Sequence, residues 1–480
     1  MTLRFEWSSL LERRLIVEEA LGLLERHGMR FGHSDALPAL AEAGAQVAWE
    51  AGIARIPSAL VEEAVARCPR EFVLGGATPE HDCALRDGVP HFLNAGGPTV
   101  ILDFRSGERR AATIRDAREA TAILDVTPTA SILWPLVCPT DCPEDRSTLT
   151  GLATQLAYTH KHVQHDVDDR RQVAAIVRMA EVTGGDLRSR PRVSVVCCTA
   201  SPLQVHPELL DASTDLAAAG IPVVVMSMPI AGATAPITIA GSVTVGVAEV
   251  LGTMTAIQLR APGAKLLFSL APGLLDMRQT TFVYGAVEAH LQTALSVEIA
   301  HDLGLPCLAP GPSTDAKHPG IQAAFEKALK ALVVTSTGAD LMTGLGTLES
   351  ANLASLPQIV IDDEITQMIL RLLSGVKITP ETIMAADIER LGFTGAFLKE
   401  KETSRRLRAG EQLMPLIADR SSYDHWQAVG KDELAVACER VEEILAAAEE
   451  RGPLLGEAQL RELADCVDEG SPAAVRQSRP

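Results

Sequence analysis

From about residue 130 to residue 373, short apolar runs alternate with longer stretches of helical spacing, and nothing else in this 480-residue chain narrows its possible folds so far. The runs lie at 131–137, 162–165, 193–198, 222–227, 265–270, 306–308 and 340–343, and several are rich in valine or leucine. The intervening stretches include 169–182, 237–259, 281–303 and 320–337, with 348–373 after the last run. Strands that alternate with helices must run parallel, because the helix carries the chain back to the starting edge. Seven such units, with an eighth strand near 91–103, give the count expected of an α/β-class (β/α)8 barrel. A doubly wound open sheet is the alternative, but no G-x-G-x-x-G stands at a strand-to-helix junction to support its dinucleotide-binding form.

The flanks follow other patterns. Apolar residues at helical spacing predict helices over 9–28, 34–43 and 57–67. We therefore expect a helical extension over 1–80, a barrel over 81–375, helices packing on it over 376–465 and a flexible tail over 466–480. Asn94-Ala95-Gly96-Gly97-Pro98 reads as a glycine turn between two short strands.

With 62 acidic against 43 basic residues, the chain carries a formal charge of −19. That balance disfavours phosphate backbones and anionic lipid surfaces, leaving small molecules or another protein as partners. No uncharged apolar run long enough for a membrane span and no signal-peptide stretch is found, so a cytoplasmic location is expected. The nine cysteines are scattered and odd in number, which fits reduced thiols. Cys138 and Cys142 form a C-x-x-x-C without a second pair, and His160, His162 and His165 alternate across a strand, so neither group makes a ready metal site. No nucleophile-elbow G-x-S-x-G and no phosphate-binding G-K-[S/T] occurs.

Function in such barrels gathers where strands end. The loops there interleave small, apolar and polar residues: 226–238, 271–285 and 310–317. Within and beside them stand Pro229 to Thr238, Ala248-Glu249-Val250-Leu251, Asp276-Met277-Arg278, Tyr284-Gly285, Glu288, Thr314-Asp315, Lys317, Gln322 and Glu326-Lys327-Ala328-Leu329. Together with Gly96-Gly97, Leu102-Asp103, the turn at 107–110, Gly346 and Leu348-Glu349, these segments resemble the trimethylamine methyltransferase family over roughly residues 10–450.

The resemblance implies a barrel enzyme that moves a methyl group from an amine to the cobalt of a separate corrinoid protein, with no cofactor bound by this chain itself and cobalamin supplied by that partner. Founding members of the family use pyrrolysine for trimethylamine. This chain has only the ordinary residues, so it is similar to the branch whose members demethylate quaternary amines such as glycine betaine. Another methylated amine or a thioether as donor, or a betaine-binding protein without turnover, are the alternatives, and a homo-oligomer is compatible with each.

The chemistry fits the residues. A quaternary nitrogen leaves as a neutral amine, so no nucleophile and no general acid is expected from the protein. It has only to hold a cation in line with cobalt and exclude water. Aromatic faces do this, and only 4% of the chain is aromatic, so Phe92, Trp134, Phe268, Phe282 and Tyr284 near strand ends are the candidate walls. Asp276 and Glu288 are candidate counter-charges. Asn94, the amides of Gly96 and Gly97, Ser227, Thr314 and Lys317 are candidate donors to a substrate carboxylate. His165 is the histidine expected to face the pocket.

Overall fold

The structure is a computed structural model and describes residues 3–85 and 90–470. Its centre is a set of eight parallel strands, β1 His91–Asn94, β2 Ile132–Leu133, β3 His162–His165, β4 Val193–Ala200, β5 Val223–Ser227, β6 Leu266–Leu270, β7 Cys307–Pro310 and β8 Leu341–Leu345. From β2 to β8 each strand pairs with the next. β8 then pairs with β1, and a parallel bridge from Phe92 to Ala130, with the Ser131 N–H donating to Phe92 O at 2.8 Å, returns the pairing to the threshold of β2. The order of pairing thus follows the order of the chain.

Both faces of these strands are buried. Leu93, Ile132, Val196, Val224, Leu267, Leu308 and Leu341 pack together on the inner face. Their neighbours Phe92, Leu133, Val163, Val195, Val225 and Phe268 belong to the larger core shared with the helices. Those helices are α1 Ile114–Val126, α2 Glu144–Tyr158, α3 Val173–Val182, α4 Pro207–Ala218, α5 Ile239–Arg260, α6 Val287–Asp302, α7 Ile321–Ser336 and α8 Leu356–Leu373, one after each strand. By length and composition α5 is apolar enough to cross a membrane, but 72% of its apolar window is buried inside the protein. It packs against β5 and β6 on one side and against Leu10–Arg26, Ala36–Glu42 and Ser58–Ala66 on the other.

The amino-terminal segment departs from the expected helical extension. It also holds the antiparallel strands Gln46–Ala48, Ile53–Arg55 and Met29–Arg30, and a hairpin of Phe72–Leu74 with Cys83–Leu85 that straddles the expected boundary at residue 80. Leu74, Cys83 and Leu85 pack with the inner-face leucines. Because Gly75 N–H donates to Pro191 O just ahead of β4, the hairpin sits at the strands' amino-terminal ends and closes that end as a floor.

The glycine turn at 94–98 also differs from expectation. β1 and Val100–Leu102 do not pair with each other: β1 joins the central strands, while Val100–Leu102 pairs with Arg109–Ala111 and Leu353–Ala354. At the carboxyl end, Glu433–Arg451 packs on α1 and α8, and Glu457–Glu469 packs on α2 and α3. Residues 466–469, expected in a flexible tail, are helical and bury Cys466; residues 471–480 lie outside the described residues.

Candidate functional site

At the strands' carboxyl ends the inner face continues into Trp134, Cys198, Met226, Ala271 and Tyr284. Gly96 lies flat against the Trp134 indole, where a Cβ would come within 2.6 Å of the ring, so a side chain there would displace the tryptophan. Above Tyr284 a three-stranded rim sheet, Ile230–Ala231, Gly273–Asp276 and Thr281–Val283, carries Phe282. The Phe282 and Tyr284 rings meet edge to face with centroids 4.7 Å apart, in the geometry that ring quadrupoles favour. Gly273 is required beneath them, since a Cβ there would overlap the Phe282 ring.

Asp166 is the residue after β3. Side chains alternate along the strand, so Asp166 shares the inward side with His162 and Gln164, whereas His165 points outward. Its carboxyl is hemmed in by protein but keeps some exposed surface, and burial raises its pKa to about 6. The Trp134 indole N–H opposes that rise, although it is buried and makes no hydrogen bond of ordinary geometry. Asp166 also pushes up the thiol pKa values of Cys138 and Cys198, behind the larger effect of their burial. Among the described residues no lysine or arginine pairs with it.

The loops that follow β6, β7 and β8 are tied together by one carboxylate. Asp315 accepts the N–H of Tyr284 at 2.7 Å, the N–H of Gly285 at 2.8 Å and the hydroxyl of Ser350 at 2.6 Å. Ser350 stands in the left-handed region with its neighbours Glu349 and Ala351. This run of three non-glycine residues is pinned by Glu349 N–H on Ala316 O at 2.7 Å and Ser350 N–H on Thr314 O at 2.8 Å. Behind it, Lys330 Nζ stands 4.5 Å from the centroid of the Tyr284 ring and 3.4 Å from Tyr284 O. Burial lowers the Lys330 pKa to about 7, with Asp315 opposing the fall. One face of Tyr284 is therefore already covered by an amine of the protein's own, charged below about pH 7. Deeper still, Lys327 Nζ reaches Asp362 at 2.8 Å and Pro312 O and Gly344 O at 3.1 Å, while Asp362 accepts Gly346 N–H at 2.8 Å.

Of the residues expected at the site, Trp134, Phe282 and Tyr284 come together there. Phe92 and Phe268 do not, because their positions along the strands point them at the helices. His165 is turned to α2: its Nε2 would lie 3.2 Å from a Cβ at Gly151, and its Nδ1 accepts Asp166 N–H at 2.9 Å. Asn94 spends its carboxamide on the backbone of Ala95 and Trp134, and Gly97 N–H donates to Pro135 O at 2.8 Å. Ser227 donates to Glu249 at 2.6 Å, in a buried cluster where Glu249 also accepts Thr199, Ser201 and Leu203. Asp276 caps its own turn through the N–H groups of Arg278 and Gln279. Glu288 is exposed in the first turn of α6, Thr314 donates to Glu326 at 2.5 Å, and Lys317 is exposed with Nζ on Asp315 O at 2.6 Å. These seven groups are committed to scaffolding or solvent, so none is a free donor or counter-charge at the strand ends. The charged groups at the strand ends are instead Asp166, Asp315, which holds Tyr284, Gly285 and Ser350, and Lys330, which lies on Tyr284.

The three clustered histidines have separate environments. His160 stacks on His81 and bonds to Asp125, whereas His162 is bonded to Gly75 O, Pro191 O and Ser194 at the floor. Burial lowers His162 to about 3 and His165 to about 4. Donor atoms of His301, Cys307 and Asp340 do lie within 4.8 Å of one another, but at the feet of β7 and β8, where Cys307 N–H donates to Asp340 at 2.9 Å. The larger surface clefts, of 440 Å³ beside Tyr158 and Glu442 and of 500 Å³ beside Ile361 and Met368, take no residue from the strand ends.

These protonation states carry a prediction. At the strand ends burial moves Asp166 and Lys330 toward neutrality and drives His165 well below it. His165→Gln should leave the shape of a pH–activity profile unchanged between about pH 6 and 8, whereas Lys330→Met should remove a step near pH 7. Loss of a step in the histidine variant alone would reverse the assignment.

A family model described as trimethylamine methyltransferase matches residues 8–471. A trimethylamine methyltransferase of Desulfitobacterium hafniense is 32% identical over 413 residues, covering 85% of this chain and 83% of the relative. A glycine betaine methyltransferase from another strain of that species is 25% identical, covering 90% of this chain and of the relative. Among solved structures, the monomethylamine methyltransferase of Methanosarcina barkeri aligns over 92% of this chain and 88% of its own with a TM-score of 0.54. At 10% identity, that likeness concerns the fold alone. The match over nearly the whole chain places this protein in the trimethylamine methyltransferase family, and it is a methyltransferase.

Proposed function

We propose that this chain is a cytoplasmic enzyme that uses a (β/α)8 barrel to transfer a methyl group from a quaternary amine of the glycine betaine type to the Co(I) of a corrinoid carried by a separate protein. It binds no cofactor of its own. The observation that carries the reading is the gathering of Trp134, Phe282 and Tyr284 at the carboxyl ends of the strands, on the inner face whose other end the hairpin closes. Relatives named for trimethylamine and for glycine betaine support a methylated amine as donor.

In this reaction the C–N bond breaks as the methyl carbon bonds to cobalt, and the electron pair stays on nitrogen, which departs as a neutral tertiary amine. No proton moves. The chain's residues hold the donor in line, keep water from the reacting carbon and surround the cation with ring faces and apolar walls. His165, neutral and turned outward, is not placed to act on the donor.

Mixing the chain with glycine betaine and a corrinoid protein reduced to Co(I) should give the visible-spectrum change of cobalt methylation. The rim should receive the corrinoid protein, so Ala233→Glu, at an exposed rim position, should keep thermal stabilisation by glycine betaine yet lose most of the transfer. No methylation from any quaternary amine would refute the reading, and full transfer by the rim variant would move docking to another face.

A further inference from the structure

We propose that Asp166 is the counter-charge for the ligand's onium group, holding it against the indole of Trp134. The assignment rests on the methyl-donor reading of the same site. A carboxylate surrounded by protein is costly unless a positive charge answers it. Among the described residues none does: no lysine or arginine pairs with Asp166, and its oxygens accept no hydrogen bond of ordinary geometry. The buried Trp134 N–H faces it and holds its pKa down without reaching ordinary hydrogen-bond geometry, which leaves the charge itself unanswered, and Gly96 fixes the plane of that ring. An incomplete anion next to a ring of set orientation is what a cationic ligand would complete.

The surroundings select the kind of cation. A metal ion or a primary ammonium needs several oxygen or nitrogen partners. Here the inward side offers one further polar group, the unpartnered carboxamide of Gln164, and the remaining walls at this end are Trp134, Cys198, Met226 and Ala271, which offer ring face, sulfur and methyl surface. A methylated onium group presents only C–H surface, spreads its charge over its methyls and is weakly hydrated. It therefore needs one anion and apolar walls, and quaternary ammonium and sulfonium share that requirement. The Tyr284 ring contributes less to this cation than its position implies, since Lys330 already lies over it.

The test is binding to the full-length chain, followed by calorimetry without corrinoid protein. Glycine betaine is compared with 3,3-dimethylbutanoate, its neutral-headed isostere, and with dimethylsulfonioacetate. Asp166→Asn should weaken glycine betaine about thirtyfold and leave the isostere unchanged or tighter; Asp166→Glu should recover part of the loss. In the wild type, the cation favours the ionised carboxyl, so affinity should be full well above pH 6 and fall about tenfold per unit below it, while Asp166→Asn shows no such fall. A sulfonium that behaves like the ammonium would make the site a general onium site. Equal losses for charged and neutral ligands, or no loss at all, would overturn the proposal, as would failure of the wild type to bind any of the onium probes. If Asp166→Asn selectively loses the cation but the wild type methylates no corrinoid, the counter-charge stands and the methyl-donor reading fails.

Discussion

Asp315→Ala should abolish methyl transfer and lower the melting temperature by several degrees, the largest functional loss expected of any single change outside the cation site. The carboxylate accepts three donors from two loops besides its own. Hydrogen bonds to a charged acceptor contribute about 1.5–3 kcal/mol each; shared by one residue they do not add fully, so about 3–5 kcal/mol is expected. The left-handed run at 349–351 raises the stake, because non-glycine residues there cost about 1–2 kcal/mol apiece. Without Asp315 the Ser350 hydroxyl loses its closest acceptor, and Tyr284, whose backbone N–H the same carboxylate holds, loses its fixed position beside Phe282. Asp315→Asn keeps one acceptor oxygen but sets an amide NH₂ against another N–H, so its loss should be intermediate. Normal melting and full transfer by the alanine variant would show that the loops hold themselves.

Lys327→Met should destabilise the protein by about 3–5 kcal/mol, because it strands the Asp362 carboxylate in a fully buried site. In the intact protein burial pushes Lys327 down and Asp362 up, and the pair's attraction opposes both. Once the lysine is gone only the upward push on Asp362 remains strong. The folded variant then binds a proton more tightly than its unfolded chain, so its deficit should be greatest at high pH and shrink as the solution is acidified. Adding Asp362→Leu should recover part of the stability but not all, since Gly346 N–H and Gln358 lose their acceptor. Urea denaturation at two pH values measures both effects. A deficit independent of pH would mean that lost packing, not a stranded charge, dominates.

The alternation of strand and helix was legible because it is local: β3 occupies the run at 162–165 as read, and β5 and β6 begin one residue later than theirs. Which side each strand residue faces was less legible. Strands buried on both faces are apolar at every position, so composition could not distinguish Phe268, turned to the helices, from Leu267, turned inward. Alternation did separate His162 from His165, and one further step along β3 would have reached Asp166. Asp315 was harder to find, since its partners Tyr284 and Ser350 are 31 and 35 residues away and nothing nearby marks a carboxylate that will collect distant N–H groups. Ser227 and Asn94 are taken up in the same way, Ser227 by Glu249 and Asn94 by the backbone of Trp134 together with that of its neighbour Ala95. The floor hairpin escaped notice because each of its strands is only three residues long.

That hairpin also bears on the order of events. With Leu74, Cys83 and Leu85 packed across one end of the interior, the proposed reading leaves the carboxyl ends of the strands for traffic, and the corrinoid protein covers them during transfer. The donor must then enter first, and the demethylated amine must wait until the carrier departs. Turnover would be strictly sequential, with the amine the last species out and product inhibition competitive toward the donor.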